Sequence, residues 1–140
     1  MITTFSRQNK LLVLMVDDNM AFVERMKGLL DEIKHIGYIN VASDFNEASM
    51  YVNEDKPDIV LLDINLPGKN GIEILKKIKT GGHRCKVIML TNHADEYYRQ
   101  QCKELGADYF LDKSNDFAKV PDIISKIGKE ERNASVPANC

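Results

Sequence analysis

Six apolar residues in a row, Leu11-Leu12-Val13-Leu14-Met15-Val16, run straight into two aspartates, Asp17 and Asp18. A strand with one wet face alternates apolar and polar side chains, whereas an unbroken run suits a strand covered on both faces, as in a parallel sheet. That requirement restricts the chain to folds in which helices lie on both sides of the sheet. Shorter runs repeat the pattern: Tyr38 to Ala42, Ile59 to Leu62 before Asp63, Val87 to Leu90 before Thr91, and Tyr109 to Leu111 shortly before Lys113.

The stretches between these runs carry helical spacing. Phe22, Val23, Met26, Leu29, Leu30 and Ile33 fall on one face, separated by Glu24, Arg25, Lys27 and Glu32, and Gly37 is expected as the C-cap of that helix. Further helices are expected over Asn46 to Asn53, Ile72 to Lys79, Asp95 to Leu105 and Val120 to Lys129, the last with Pro121 in its first turn, where a missing N–H costs little. The reading is an α/β fold: five β-then-α units forming a five-stranded parallel sheet with helices on both faces.

A chain of 140 residues, 44% hydrophobic, supports one core. The expected domain spans residues 10–130, with an N-terminal extension at 1–9 and a polar C-terminal tail at 131–140. The formal net charge of -2, with both signs mixed, offers no basic face for nucleic acid. No apolar stretch suits a signal peptide or a membrane span, so no membrane association is expected. Cys85, Cys102 and Cys140 form neither a C-x-x-C pair nor a cluster with histidine, which fits a reducing, cytoplasmic location.

In a parallel sheet the residues that follow the strands meet at one edge, so Asp17, Asp18, Asp63, Thr91 and Lys113 should share a crevice. Carboxylates gathered there repel one another unless a cation joins them, and an all-oxygen set with room for waters suits Mg2+. Asp63 can then act as a nucleophile toward phosphorus, Lys113 can offset charge on the phosphoryl oxygens, and Thr91 can donate a hydrogen bond. Each residue also has a plainer use. Asp18 or Asn19 can cap the first helix, Thr91 the fourth, Lys113 can lie on the surface, and Phe110 can pack in the core.

Four motifs in order, V-D-D-N at 16 to 19, L-L-D-I-N-L-P-G-K-N-G at 61 to 71, L-T-N at 90 to 92 and G-A-D-Y-F-L-D-K-S at 106 to 114, resemble the receiver domain of bacterial two-component response regulators. The likeness is to the single-domain, chemotaxis-type members. It implies a flavodoxin-like sheet of order 2-1-3-4-5. By the same resemblance Asp63 is the phosphoacceptor, Asp17 and Asp18 are the acidic pair at the metal, and Asn65 is a metal ligand through its backbone carbonyl. Thr91 becomes the switch hydroxyl, Lys113 the phosphate-binding lysine and Phe110 the switch aromatic. Implied partners are a histidine kinase or histidine phosphotransfer protein upstream, and a protein target on the face of the fourth helix, fifth strand and fifth helix. The family is a signalling module rather than an enzyme, with only autocatalytic phosphorylation and dephosphorylation.

Three positions depart from the family pattern. Ser114 follows Lys113 where proline is frequent, so no cis bond is expected there. Asn92 stands where a small residue is common and is expected to narrow access to Asp63, with His93 beside it as a second modulator of access. Three rival readings remain at the level of sequence: a receiver cut from a longer regulator, a haloacid-dehalogenase-like phosphotransferase, and a receiver that signals without phosphate. The second needs an acid/base aspartate two residues after the nucleophile, where this chain has Asn65.

Overall fold

The computed structural model describes residues 10–92 and 95–135. The chain alternates strand and helix throughout: β1 (Leu11–Val16), α1 (Met20–Leu30), β2 (Ile36–Ala42), α2 (Phe45–Asp55), β3 (Ile59–Leu62) and α3 (Gly71–Thr80). It continues through β4 (Lys86–Thr91), α4 (Glu96–Glu104), β5 (Tyr109–Asp112), a 3-10 turn (Phe117–Lys119) and α5 (Val120–Ser135). All strand pairings are parallel, in the order β2-β1-β3-β4-β5.

Alternate side chains of each strand feed two separate cores. Leu14, Val16, Val60, Leu62, Val87 and Met89 pack with Ala48, Val52, Leu75, Ile78 and Cys102, so α2, α3 and α4 cover one face. Val13, Met15, Ile59, Leu61, Ile88 and Leu90 pack with Val23, Met26, Leu30, Ile124 and Ile127, so α1 and α5 cover the other. Every residue of β1 is buried, which is why its sequence shows no alternation.

Asparagine and aspartate side chains start the helices. Asn19 accepts from the Phe22 N–H, Asp44 from Glu47, Asn70 from Ile72 and Glu73, and Asp95 from Tyr98. Each satisfies backbone donors that the first helical turn leaves without partners. Thr91 ends β4 instead of capping α4.

Two boundaries differ from the sequence reading by more than two residues. Gly37 does not cap the first helix: α1 ends at Leu30, with the Asp31 N–H on the Lys27 carbonyl, and Gly37 lies inside β2. A Cβ at Gly37 would stand 3.1 Å from Lys10 Cβ and 3.3 Å from the Leu11 carbonyl oxygen, so the close approach of β1 accounts for the glycine. The polar stretch expected to begin after Glu130 is helical as far as Ser135. Lys129, Glu130 and Glu131 are strong helix formers and no proline interrupts before Pro137, so a buried face ending at Ile127 is enough to carry the helix on. Residues 1–9 and 136–140 lie outside the described residues, as does Cys140. Among the described residues no helix is long and apolar enough to cross a membrane.

Candidate functional site

Strand order reverses at β1, which pairs with β2 on one side and β3 on the other. A crevice opens beyond the carboxyl ends of β1 and β3 at such a switch point. Backbone ladders continue one residue past the strands there: the Asp17 N–H bonds the Ala42 carbonyl at 2.9 Å, Asp63 bonds Val16 at 3.0 Å, and Lys113 bonds Thr91 at 3.0 Å. The sheet itself therefore fixes the backbone of the polar residues that end it.

Their side chains turn inward together. Asp17 (4% exposed), Asp63 (6%), Thr91 (0%) and Lys113 (8%) are the buried polar residues among those described. The Lys113 Nζ lies 2.7 Å from Asp17 Oδ2 and 3.1 Å from Asp63 Oδ2. One ammonium thus bridges two carboxylates that would otherwise repel each other in a poorly solvated place. The remaining oxygens are also engaged: Asp17 Oδ1 accepts the Asn19 N–H at 2.9 Å, and Asp63 Oδ1 accepts the Asn65 N–H at 3.2 Å. The second of these contacts folds the start of the β3–α3 loop around Asp63.

Burial sets the protonation behaviour of the pair. Burial pushes the Asp17 carboxyl above the ordinary carboxylate value, and the hydrogen bonds from Lys113 and the Asn19 N–H offset that only in part. For Lys113, burial acts to lower the pKa. The hydrogen bond to Asp17 and the negative charge of Asp63 and Asp17 outweigh it and hold the ammonium above the usual lysine value. The lysine is therefore charged at neutral pH.

Asp18 is exposed at the rim and completes a cluster in which Asp17, Asp18 and Asp63 each offer an oxygen within 4.8 Å of the others. Three carboxylate oxygens, one of them reached by solvent, form a donor set that fits a hard divalent cation keeping some of its waters. Asn65 is also exposed, in the loop directly beyond Asp63.

Not every expected residue joins this group. Asn92 is exposed one residue past Thr91, and His93 lies outside the described residues. Phe110 belongs to the α2–α4 side of the sheet, half-buried, with the Arg99 guanidinium 4.9 Å from its ring centroid and Arg99 Nη1 donating to its carbonyl at 3.2 Å. Cys102 is buried in the same core, and burial pushes its thiol up to about 11, the behaviour of packing material rather than a reactive group. In place of the proline common after the lysine, the Ser114 and Asn115 N–H groups both bond Asp112 Oδ1, at 2.8 and 3.0 Å. That side-chain turn shapes the loop which carries Lys113.

One neighbour escaped the sequence reading. Phe22 is the first core-facing residue of α1, and its ring centroid lies 4.4 Å from Lys113 Nζ. In sequence it is one of several apolar residues on a helical face, with nothing to mark the contact.

The chain matches the model of the response regulator receiver domain over residues 13–125. It is 34% identical over 116 residues to sporulation initiation phosphotransferase F of Bacillus subtilis (strain 168), covering 81% of this chain and 90% of that protein. Protein CcdB of the same organism is 33% identical over 115 residues, covering 82% and 95%. The crystal structure of the CheX-CheY-BeF3-Mg+2 complex from Borrelia burgdorferi contains a chain that superposes with a TM-score of 0.74 at 27% identity, covering 87% of this chain and 97% of that one. The chain spans only 46% and 51% of the length of two longer regulators that it also matches. With its sheet order and its matched span agreeing, this chain belongs to the response regulator receiver domains of two-component signalling.

Proposed function

We propose that Asp63 is the residue that accepts the phosphoryl group, and that the chain works as a single-domain switch. The observation that carries this reading is the bridge of Lys113 across Asp17 and Asp63 at the end of β1 and β3. Asp63 presents a carboxylate whose Oδ2 already faces the ammonium that a phosphoryl oxygen would meet. In the transfer, an Asp63 carboxylate oxygen attacks phosphorus as the phosphorus–nitrogen bond of a donor phosphohistidine breaks, and the electron pair leaves with the imidazole. Lys113 offsets charge on the phosphoryl oxygens, and Thr91 donates its hydroxyl to one of them.

Mg2+, held by Asp17, Asp18, Asp63 and the Asn65 carbonyl, supplies further charge neutralisation at the phosphoryl group when bound. The donor is a histidine kinase or a histidine phosphotransfer protein, a reading supported by the likeness to a protein named as a phosphotransferase. Output runs through the α4, β5 and α5 face, where Phe110 and Arg99 already touch. Movement of Thr91 toward the phosphoryl group would free space beside Phe110, which is two residues before Asp112, the register partner of Thr91. The setting is cytoplasmic, and the contacts are with protein rather than nucleic acid or membrane. Near-complete coverage of two short relatives supports the single-domain reading. The greater length of the other regulators favours, as a second reading, a receiver within a longer chain.

Incubation with Mg2+ and phosphoramidate, followed by intact-mass measurement, tests the assignment. A phosphoryl adduct present in the native chain and absent from Asp63→Asn is expected, and equal labelling of the two would sink it. Access is tested separately. Asn92→Ala is expected to label about threefold faster with small donors, the equivalent of ~0.7 kcal/mol of steric relief. An unchanged rate would remove Asn92 from the reading.

A further inference from the structure

Resting on that reading of Asp63, we infer that Phe22 is a positioning residue for phosphoryl transfer: its ring face keeps the Lys113 ammonium at the site after the carboxylates release it. The ammonium is enclosed on three sides, by Asp17 Oδ2 at 2.7 Å, Asp63 Oδ2 at 3.1 Å and the Phe22 ring centroid at 4.4 Å. A small cavity lined by Asp17, Phe22, Asp63 and Leu90 among others measures about 10 Å3. That is room for one water at most.

The ring is itself held firmly. Phe22 is 7% exposed and meets Phe117 edge-on, with centroids 5.7 Å apart and planes at 74°. The Arg25 guanidinium lies 4.7 Å from the Phe117 centroid. Lys113, Phe22, Phe117 and Arg25 thus form a row of contacts, two rings edge to face with a cation at each end, that ties the first turns of α1 to the segment between β5 and α5.

The two kinds of anchor respond differently to phosphorylation. Once Asp63 carries a phosphoryl group its attacking oxygen is part of an acyl phosphate, and a bound Mg2+ would draw on the Asp17 carboxylate. Each would then hold the ammonium less strongly. The attraction of a ring face for a cation depends on neither event, and the ring does not compete with phosphoryl oxygens for the N–H donors. Lys113 is therefore free to turn toward phosphate without leaving the crevice. An aliphatic side chain of similar size would fill the core equally well and exert no such pull, and this separates positioning from packing.

The full chain supplies the test, with phosphoramidate as donor and Mg2+ saturating. Phe22→Leu is expected to lower the phosphorylation rate about tenfold, with only a modest loss of thermal stability from the lost ring contacts. Replacing Phe22 with increasingly fluorinated phenylalanines should lower the rate in steps, because fluorine weakens the ring's negative face while nearly preserving its shape. In a Lys113→Met background Phe22→Leu should have no further effect. NMR gives a readout independent of turnover: the Lys113 ε-methylene protons should show a ring-current shift that Phe22→Leu removes. Labelling of Phe22→Leu at the native rate, or an equal loss in the Lys113→Met background, would overturn the positioning role alone. A native chain that takes no phosphate on Asp63 would overturn the underlying reading and this one with it.

Discussion

Lys113→Ala is expected to destabilise the protein by about 3 kcal/mol at neutral pH without divalent cations, since it leaves two buried carboxylates with no counter-charge. Asp17 and Asp63 are both almost fully buried, and Lys113 is the cation that pairs with each of them among the described residues. Added Mg2+ should restore much of the loss and bind more tightly than in the native chain, because the ammonium no longer competes for Asp17. Phosphorylation should nevertheless slow by on the order of 100-fold, the usual effect of deleting one preorganised charge donor at a transferring group. Urea unfolding with and without Mg2+, set beside donor labelling, checks all three expectations. Unchanged stability, or an Mg2+ response no larger than the native one, would contradict the geometry.

The sign of the pH dependence follows from the same contacts. The pKa of Lys113 is higher in the folded chain than in the unfolded one, so folding favours its protonated form. Its stabilisation is complete below the unfolded lysine value and fades as pH rises through the folded one. Asp17 works in the opposite sense: its folded pKa is raised, chiefly by burial, so ionising it opposes folding as pH climbs past the ordinary carboxylate value. Lys113→Ala removes the largest offset to that burial and should extend the Asp17 effect toward neutral pH.

The second large loss is expected from a single methyl group that makes no charge contact of its own. Gly71→Ala should lower stability by about 3 kcal/mol, because the new Cβ has no space that a side-chain rotation could open. It would fall on the Asp63 carbonyl oxygen, 2.8 Å from the carbonyl carbon and 3.0 Å from the Ile64 Cα. All of these are backbone atoms, and the Gly71 N–H is bonded to the Ile64 carbonyl at 2.8 Å. Relief therefore requires α3 to pull away from the end of β3, moving Asp63 itself. Phosphorylation should fall along with stability. Gly28→Ala makes the contrast: nothing lies within 4 Å of the added Cβ, the site is an exposed helical one, and the exchange should stabilise by about 0.5–1 kcal/mol. Urea midpoints at constant slope measure both. A neutral Gly71→Ala would mean that β3 and α3 are not packed as described.

These expectations separate local information from tertiary information. Alternation of buried runs with helical periodicity was legible because it repeats within a few residues. Ile59 to Leu62, expected as a strand, is β3 to the residue. Polar residues that interrupt such runs were legible as a group, since parallel strands must end at one edge. The helix ends were less so. Ile33 prolonged the apolar pattern beyond Leu30, and Gly37 looked like a cap only because its partner in space, the start of β1, lies far away in sequence.

By itself the sequence determined the α/β architecture, its parallel sheet and the set of polar side chains delivered to one edge, because strand and helix periods and strand ends are properties of short stretches of chain. Tertiary structure decided which of those side chains meet and how. It placed the Lys113 ammonium between Asp17 and Asp63 and laid the Phe22 ring beside it, kept Phe110 on the other side of the sheet, and pressed Gly71 against the backbone of Asp63. Those contacts join residues from distant parts of the chain, and their distances depend on how the helices pack against the sheet, for which no short segment carries the information.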